Sequence, residues 1–469
     1  MTVTDAQDRP VPFHVSGAVA TASVLQPLNS SMIAVAIVSI AAQFGSLSGI
    51  SWVISGMYIA TAVTAPMAGR LGALFGARRV YLVGLGLVAI GSISGMLAPG
   101  VGWLVGSYIV LGMGISAHMP NAMTMVRSYA DHYRLQPRTA IMTLVLCSQS
   151  FAALGPTLGG LLVGTFGWES ILWVNLPLVV LSAVAVMRAD VGFAGGEPTS
   201  GRGLLYTLDL PGIALFVLLV TSTMLFLLSL GRDPDWWMLP VWAALLGVFV
   251  ARERRAPEPF IDVRALARNR ALSATLCRTL LTYTTFYSIY FGIPQWLQYV
   301  RGMTPIDAGL TMLPVAIVGM VSTMAGSRTY RLFGARHTLV IGTCALLVGG
   351  VLLAVVERST APLVVLLLVA AVLGIPNGFN NIGNQNIINS VTSVAEVGAA
   401  IGMYRTVQFM GANLAVAVLQ LTAGPIISDD GLHRTGWFIA ATAAALLAGV
   451  LCSQSMPARL PARNPDAKA

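Results

Sequence analysis

Long apolar runs fill almost the whole of this 469-residue chain. A helix needs about 20 mainly apolar residues to cross a bilayer, and fourteen runs are of about that length. They fall near 16–42, 50–72, 80–98, 102–127, 138–164, 170–187, 211–230, 236–252, 271–298, 305–326, 337–356, 361–388, 396–424 and 435–456. Only 10% of the residues are charged, against about 25% in soluble domains. The sequence therefore predicts an all-α integral membrane protein with fourteen spans.

One short motif occurs twice in the chain. Arg70 to Arg78 reads RLGALFGAR, and Arg328 to Arg336 reads RTYRLFGAR. Each copy lies between apolar runs, which indicates a duplicated architecture of the kind that transporters build around a central site. The helix pair near 211–252 has no counterpart in either half. We therefore predict three parts: an N-terminal six-helix bundle at 1–190, a loop and two additional helices at 191–256, and a surface segment with a C-terminal six-helix bundle at 257–469.

The cationic residues predict the orientation. If both termini are cytoplasmic, 22 of the 27 Lys and Arg residues lie in the tails and the even-numbered turns, four face outside, and Arg278 lies inside a helix. This split follows the positive-inside rule, and it accounts for the net charge of +9 without a nucleic-acid partner. The four cysteines lie in apolar runs without metal-ligand spacing, so neither a metal nor a cofactor is expected. We expect a multi-pass protein of the cell membrane.

Several motifs resemble those of the major facilitator superfamily, and more narrowly of its fourteen-helix family of drug:proton antiporters. They are the loop motif with Gly69, Leu71, Gly76 and Arg78, the GPTLGG segment from Gly155 to Gly160, and the GW…NxP pattern with Gly167, Trp168, Asn175 and Pro177. The resemblance implies two six-helix bundles plus two extra helices, and multidrug efflux by alternating access with proton antiport. It also implies gating or hinge roles for Gly69, Gly76, Arg78, Gly155, Pro156, Gly159 and Gly160.

The chain departs from this family at charged and polar positions. Asn29 replaces the acid of the first helix, Ala73 replaces the Asp of the loop, and Tyr108 replaces the Arg of the fourth helix. The resemblance thus favours transport more than proton coupling. An uncoupled facilitator or exchanger of a small molecule or lipid is one alternative, and a membrane receptor or partner subunit without transport is another. The absence of a nucleotide-binding loop argues against an ATP-driven pump. No nucleophile-base set lies at a plausible water-exposed surface, so an enzyme is not expected.

Polar residues inside the apolar runs are candidate site residues, because lipid would leave their hydrogen bonds unsatisfied. Asn377, Asn381 and Asn384 share one helix face. Tyr283, Tyr287 and Tyr290 share another, and aromatic faces suit apolar or cationic guests. Either face lines a cavity or packs between helices. The substrate-binding candidates are Gln26, Asn29, Asn121, Gln149, Tyr283, Tyr287, Tyr290, Asn377, Asn381, Asn384 and Gln408.

Ionisable groups bear on the coupling to protons. Inside the predicted spans we identify Arg278, a candidate surface anchor, and His118. The imidazole of His118 titrates near neutral pH, which suits a proton carrier, although a neutral hydrogen-bonded role is the alternative. Asp307, at the outer start of the tenth run, is the second candidate. Because no acid lies in the middle of a run, neutral or weakly cationic amphiphiles are the expected substrates.

Overall fold

The structure, a computed structural model, describes residues 10–45, 47–189, 191, 209–230, 234–257, 259–392, 397–424 and 427–452. Over these residues the chain forms eighteen helices and no strand. The N-terminal helices are α1 Phe13–Ser23, α2 Leu25–Phe44, α3 Leu47–Phe75, α4 Ala77–Met96, α5 Val101–Ser116, α6 His118–Tyr133, α7 Arg138–Phe166, α8 Ser170–Trp173 and α9 Asn175–Arg188. They are followed by α10 Leu210–Ser229, α11 Met238–Glu253, α12 Val263–Arg268, α13 Arg270–Tyr299, α14 Pro305–Thr311, α15 Leu313–Val355, α16 Leu363–Val391, α17 Val397–Ala423 and α18 Asp429–Cys452.

The helix lengths are consistent with fourteen spans. Among the described residues, ten helical stretches are long and apolar enough to cross a membrane, and the bent helix α7 makes an eleventh. One of the ten, Pro305–Val355, has 51 residues. At about 1.5 Å per residue this is more than twice the thickness of a bilayer core. Its chain turns at Gly334, whose φ of 84° and ψ of −177° are not helical, so this stretch supplies two spans.

The two copies of the repeated motif have similar local structures. Gly76 and Gly334 both have positive φ, at 94° and 84°, which favours glycine. Two residues later in each copy, an arginine donates to a backbone carbonyl near the end of α9 or α18. The Arg78 Nη2–Met187 O distance is 2.7 Å, and Arg336 makes the matching bond to Leu451. Each arginine thus ties its loop to the last helix of its own half.

The two halves meet along three sets of helices. Helix α2 packs on α13, α3 packs on α17, and α7 packs on α14 and α15. The additional helix α10 contacts both α3 and α17, through an apolar cluster that includes Val63, Phe216 and Met410. Helix α10 of the additional pair therefore packs against the contact between α3 of one half and α17 of the other. Asp209 caps α10, pairs with Arg252 of α11 and accepts a hydrogen bond from the Phe260 amide.

Candidate functional site

The glycines of α7 allow the two halves to touch at their backbones. A Cβ atom at Gly160 would overlap the Pro305 carbonyl oxygen and would lie 3.0 Å from Gly309 Cα in α14. The Thr157 hydroxyl donates to the Gly309 carbonyl at 2.9 Å. Only glycine fits this contact without a shift, so the predicted hinge segment lies where α7 meets the C-terminal half. We define the contact of Thr157 and Gly160 with Pro305 and Gly309 as the glycine seam.

The same motif also packs within its own half. A Cβ at Gly155 would overlap the Ser31 side chain, and one at Gly159 would lie 2.9 Å from Met32 Cα. Pro156 has no N–H, which leaves the carbonyl of Ala152 without its helical donor. The Tyr290 hydroxyl of the C-terminal half donates to that carbonyl at 3.0 Å. Helix α7 bends by 49° between its segments Thr139–Ala152 and Leu154–Phe166, and the bend brings a second contact between the halves.

An aromatic cluster spans the two halves beside this seam. Tyr58 of α3 lies among C-terminal rings, with centroid distances of 5.4 Å to Tyr287, 6.3 Å to Phe291 and 6.1 Å to Phe409. The α13 rings Tyr283, Phe286, Tyr287 and Tyr290 also contact one another in succession. The predicted tyrosine face of α13 therefore packs on its own neighbours and on the N-terminal half.

The polar face of α16 lies next to these rings. A small cavity with a volume of about 10 Å³ is lined by Tyr283, Asn377 and Asn381 together with apolar neighbours. Such a space holds about one water molecule. Asn381 also accepts a hydrogen bond of 2.7 Å from the hydroxyl of Tyr404 in α17. The structure thus brings two of the three predicted asparagines together with a predicted tyrosine.

The third asparagine of this face holds a charged side chain. Arg278 Nε donates to Asn384 Oδ1 at 2.7 Å, and its Nη2 donates to the Thr275 hydroxyl at 3.0 Å. Asn384 is fully buried, and its Nδ2 has no hydrogen-bond partner among the described residues. Arg278 therefore points toward α16 and is fixed there by two neutral groups.

A second intramembrane arginine was missed by the sequence analysis. Arg405 was counted with the cytoplasmic residues, but it lies in α17, eight residues after Val397. The cytoplasmic count of cations thus falls from 22 to 21. Arg405 is half-buried, and its Nη1 donates to Oε1 of the buried Gln408 at 3.3 Å. The segment RTVQ places Arg405 and Gln408 one helical turn apart within an apolar run, and this pattern could have identified Arg405 as a residue of the span.

A family model described as "Major Facilitator Superfamily" matches residues 19–416. The chain belongs to the major facilitator superfamily. It is 31% identical, over 89% of its length and 92% of the relative's, to "Uncharacterized MFS-type transporter YwoD" of Bacillus subtilis. It is 28% identical to the "Tetracenomycin C resistance and export protein" of Streptomyces glaucescens, over 89% of this chain and 77% of that protein.

Solved structures agree with this fold. A mutant form of the nucleoside transporter NupG superposes with a TM-score of 0.66 at 14% identity, covering 93% of this chain and 99% of that one. At this identity the likeness speaks for the fold alone. The family match identifies the chain as a transporter of the major facilitator type embedded in the bilayer.

The predicted polar residues of the N-terminal half bond mainly to one another. Asn29 and Asn175 exchange two amide hydrogen bonds, of 2.8 and 3.0 Å, and Asn175 also donates to Ser92 at 3.0 Å. Gln26 donates to Ser30 at 3.1 Å on the same helix. All these partners belong to the N-terminal half. Asn29 thus lies buried in the interior of this half.

Two further binding candidates belong to the N-terminal half. Asn121 lies away from the aromatic cluster, and Gln149 has a side chain that the structure does not describe. Asn121 donates to the Ala68 and Ala117 carbonyls at 3.2 and 2.7 Å, and so joins α6 to α3. Gly69 lies on the same helix pair, where a Cβ would be 3.7 Å from Pro120 Cβ. A cavity of about 500 Å³ among α3, α4, α5 and α10 is lined almost entirely by apolar side chains.

The two candidates for proton coupling have contrasting surroundings. His118 is the first residue of α6 and is buried; its ring lies 4.9 Å from that of Tyr81, and neither nitrogen is hydrogen-bonded among the described residues. Asp307 is exposed in the first turn of α14. Its carboxylate accepts from the Thr304 hydroxyl at 2.7 Å, and its own N–H donates to that hydroxyl at 3.1 Å, so Thr304 caps α14.

Proposed function

We propose that this transporter exports a small amphiphilic compound or drug across the cell membrane by alternating access. The glycine seam carries this proposal. Backbones in contact at Gly160 and Gly309 can separate without unpacking large side chains, so a small rotation of one half opens or closes that end of the path. Both termini are proposed to lie in the cytoplasm, which a reporter fused after the last residue tests.

Residues at the meeting of the halves support binding of an amphiphile. Tyr283 and Tyr287 offer aromatic faces, while Asn377, Asn381 and Gln408 offer amides on neighbouring helices. Small-molecule sites combine apolar walls with a few polar groups in this way. The antiporter-like motif of α7 supports outward movement, as does the name of the tetracenomycin C relative. Multidrug efflux with antibiotic resistance is therefore the proposed role.

We propose a proton gradient as the driving force, with His118 as the carrier. Its buried ring lacks a fixed hydrogen bond among the described residues, so no partner fixes its protonation state. Asp307 is the weaker candidate because its carboxylate is exposed and bonded to the Thr304 hydroxyl. Uncoupled transport is the second candidate function. The observation that favours it is the pairing of Asn29, a neutral amide, with Asn175, at a position where the family resemblance implies an acid.

Transport in proteoliposomes with an imposed pH gradient tests both functions. A panel of neutral, cationic and anionic amphiphiles is offered outside vesicles with an acidic lumen. Accumulation that disappears when the gradient is collapsed supports antiport. Equilibration that ignores the gradient supports the uncoupled alternative. Movement of no compound, from protein shown to be folded and inserted, would contradict export and favour a receptor or partner subunit.

A further inference from the structure

Two arginines of the C-terminal half lie inside neighbouring helices, α13 and α17. Arg278 follows the first residue of α13 by eight residues, and Arg405 follows that of α17 by eight. Each is therefore about 12 Å along its helix from the start. Arg278 bonds to Asn384 and Tyr404 bonds to Asn381, one turn away on α16, and Arg405 follows Tyr404 in α17. We name Arg278, Arg405 and Tyr404 the arginine pair site.

These charges have no carboxylate partner in the described part of the chain. The two ion pairs found there both belong to Arg252, at the end of α11. The groups that hold the arginines are the neutral oxygens of Asn384, Thr275 and Gln408. Charged residues within membrane spans are costly, and they usually pair or serve a substrate pathway. Two guanidinium groups without a carboxylate partner among the described residues therefore call for an anion from outside the chain.

The surroundings supply more donors and an apolar wall. The Nδ2 of the fully buried Asn384 has no partner among the described residues and lies on the residue that holds Arg278. The rings of Tyr283 and Phe286 continue from the site toward the small cavity. Donors at one end and aromatic rings at the other match a molecule with an anionic group on an apolar body.

We propose that the arginine pair site binds the anionic group of an amphiphilic substrate, such as a carboxylate, sulfonate or phosphate. This inference rests on the proposed export function and names its substrate class. It replaces the neutral or weakly cationic substrates expected from the sequence, because that expectation was made without Arg405. An anion at this site neutralises the two guanidinium groups, and its apolar body lies against the α13 rings.

Binding to the purified full-length protein tests the site. Three dansyl probes of one chain length, ending in a carboxylate, a neutral amide or an amine, are titrated in maltoside micelles, which contain no phosphate. We expect the carboxylate to bind at least about tenfold more tightly than the amide, since hydrogen bonds to charged groups contribute about 1.5–3 kcal/mol. Arg405→Gln and Arg278→Gln should each abolish that preference. Arg405→Lys should retain part of it, and Arg434→Gln, at an exposed arginine of α18, should retain all of it.

Several results would overturn the proposal. Equal binding of carboxylate and amide by the wild type would do so, as would an unchanged preference in both glutamine variants that remain folded by thermal melting. A preference that is present in micelles but absent in phospholipid nanodiscs would assign the site to a lipid phosphate. Export of only neutral or cationic probes would reject the anion site and leave export intact. Arginine-dependent binding without any transport would reject export and leave the site intact.

Discussion

The two halves of this transporter share a repeated loop but use their polar residues differently. In the N-terminal half, Asn29, Asn175 and Ser92 bond to one another, and the large cavity is apolar. In the C-terminal half, Arg278 and Arg405 are held by neutral groups and lack a carboxylate among the described residues. We infer that the N-terminal half supplies a stable surface to rock against, while the C-terminal half supplies the ligand chemistry.

The largest effect is expected at the glycine seam, which the two halves share. In Gly160→Ala the added Cβ overlaps the Pro305 carbonyl, so the halves cannot approach as closely. Overpacking of this kind costs about 1–3 kcal/mol. We expect transport in proteoliposomes to fall at least about tenfold with protein still in the membrane. Gly106→Ala is the control, since its Cβ meets nothing within 4 Å. Equal loss in both variants would assign the defect to helix packing in general.

Substitutions of asparagines should distinguish the roles of the two halves. Asn381→Ala and Asn384→Ala remove groups that position Tyr404 and Arg278, so we expect several-fold weaker transport from protein that reaches the membrane. Asn29→Ala leaves the buried Oδ1 of Asn175 without its donor, while the Nδ2 of Asn175 keeps only Ser92 as an acceptor. It should lower the free energy of unfolding by about 1–3 kcal/mol and leave probe affinity unchanged. Thermal melting and probe titration on the same preparations measure the stability and the probe affinity of this variant. Loss of probe affinity in Asn29→Ala alone would reverse the assignment of roles.

How much of the fold and of the site could be predicted depends on how far apart in the sequence the contacting residues lie. The helices and the duplicated loop follow from apolar runs and a local motif, and the conformations of Gly76 and Gly334 agree with the repeat. Pro156 predicts that the Ala152 carbonyl needs a donor, but not that Tyr290, 138 residues away, provides it. The pairing of Asn29 with Asn175 spans 146 residues. Such contacts depend on how helices pack, which single-sequence patterns do not encode.

The location of Arg405 shows a different limit. The predicted run near 396–424 already includes Arg405, but the count of cytoplasmic cations assigned this arginine to a turn. Helix α17 begins at Val397, which puts Arg405 more than two turns inside. The assignment of one arginine to a turn thus changed the expected substrate charge. Functional sites in membrane helices depend on a few such residues.

A smaller effect should distinguish the driving forces. If His118 carries the proton, His118→Gln should retain probe binding and lose the dependence of transport on the pH gradient. An anionic substrate would in addition respond to membrane potential, at about 2.3 kcal/mol per charge per 100 mV. Transport by wild type and variant is measured under each gradient separately, with His337→Gln, an exposed histidine, as the control. Potential-driven transport that survives His118→Gln unchanged would limit this part of the N-terminal half to a structural role.

The smallest effect concerns a buried acid of the C-terminal half that lies outside its spans. Glu357 follows α15 and is 2% exposed; its Oε2 has no partner among the described residues, and its backbone carbonyl faces His433 Nε2 at 2.7 Å. Burial raises the pKa of Glu357 from its ordinary value near 4.5 to about 8, although Arg301 opposes the shift. Between these two values the folded protein holds a proton that the unfolded chain has released. Stability should therefore decrease as pH rises from 5 to 8.

The substitution Glu357→Gln isolates this contribution, because glutamine is neutral at every pH. We expect the melting temperature of the variant to decline less than that of the wild type between pH 5 and pH 8, by a few degrees. The control is Glu169→Gln, an acid after α7 in the N-terminal half that is only half-buried, and it should follow the wild-type curve. Parallel curves for wild type and Glu357→Gln would mean that Glu357 is ionised in the folded protein. Arg301 would then neutralise it, and this acid would no longer set the C-terminal half apart.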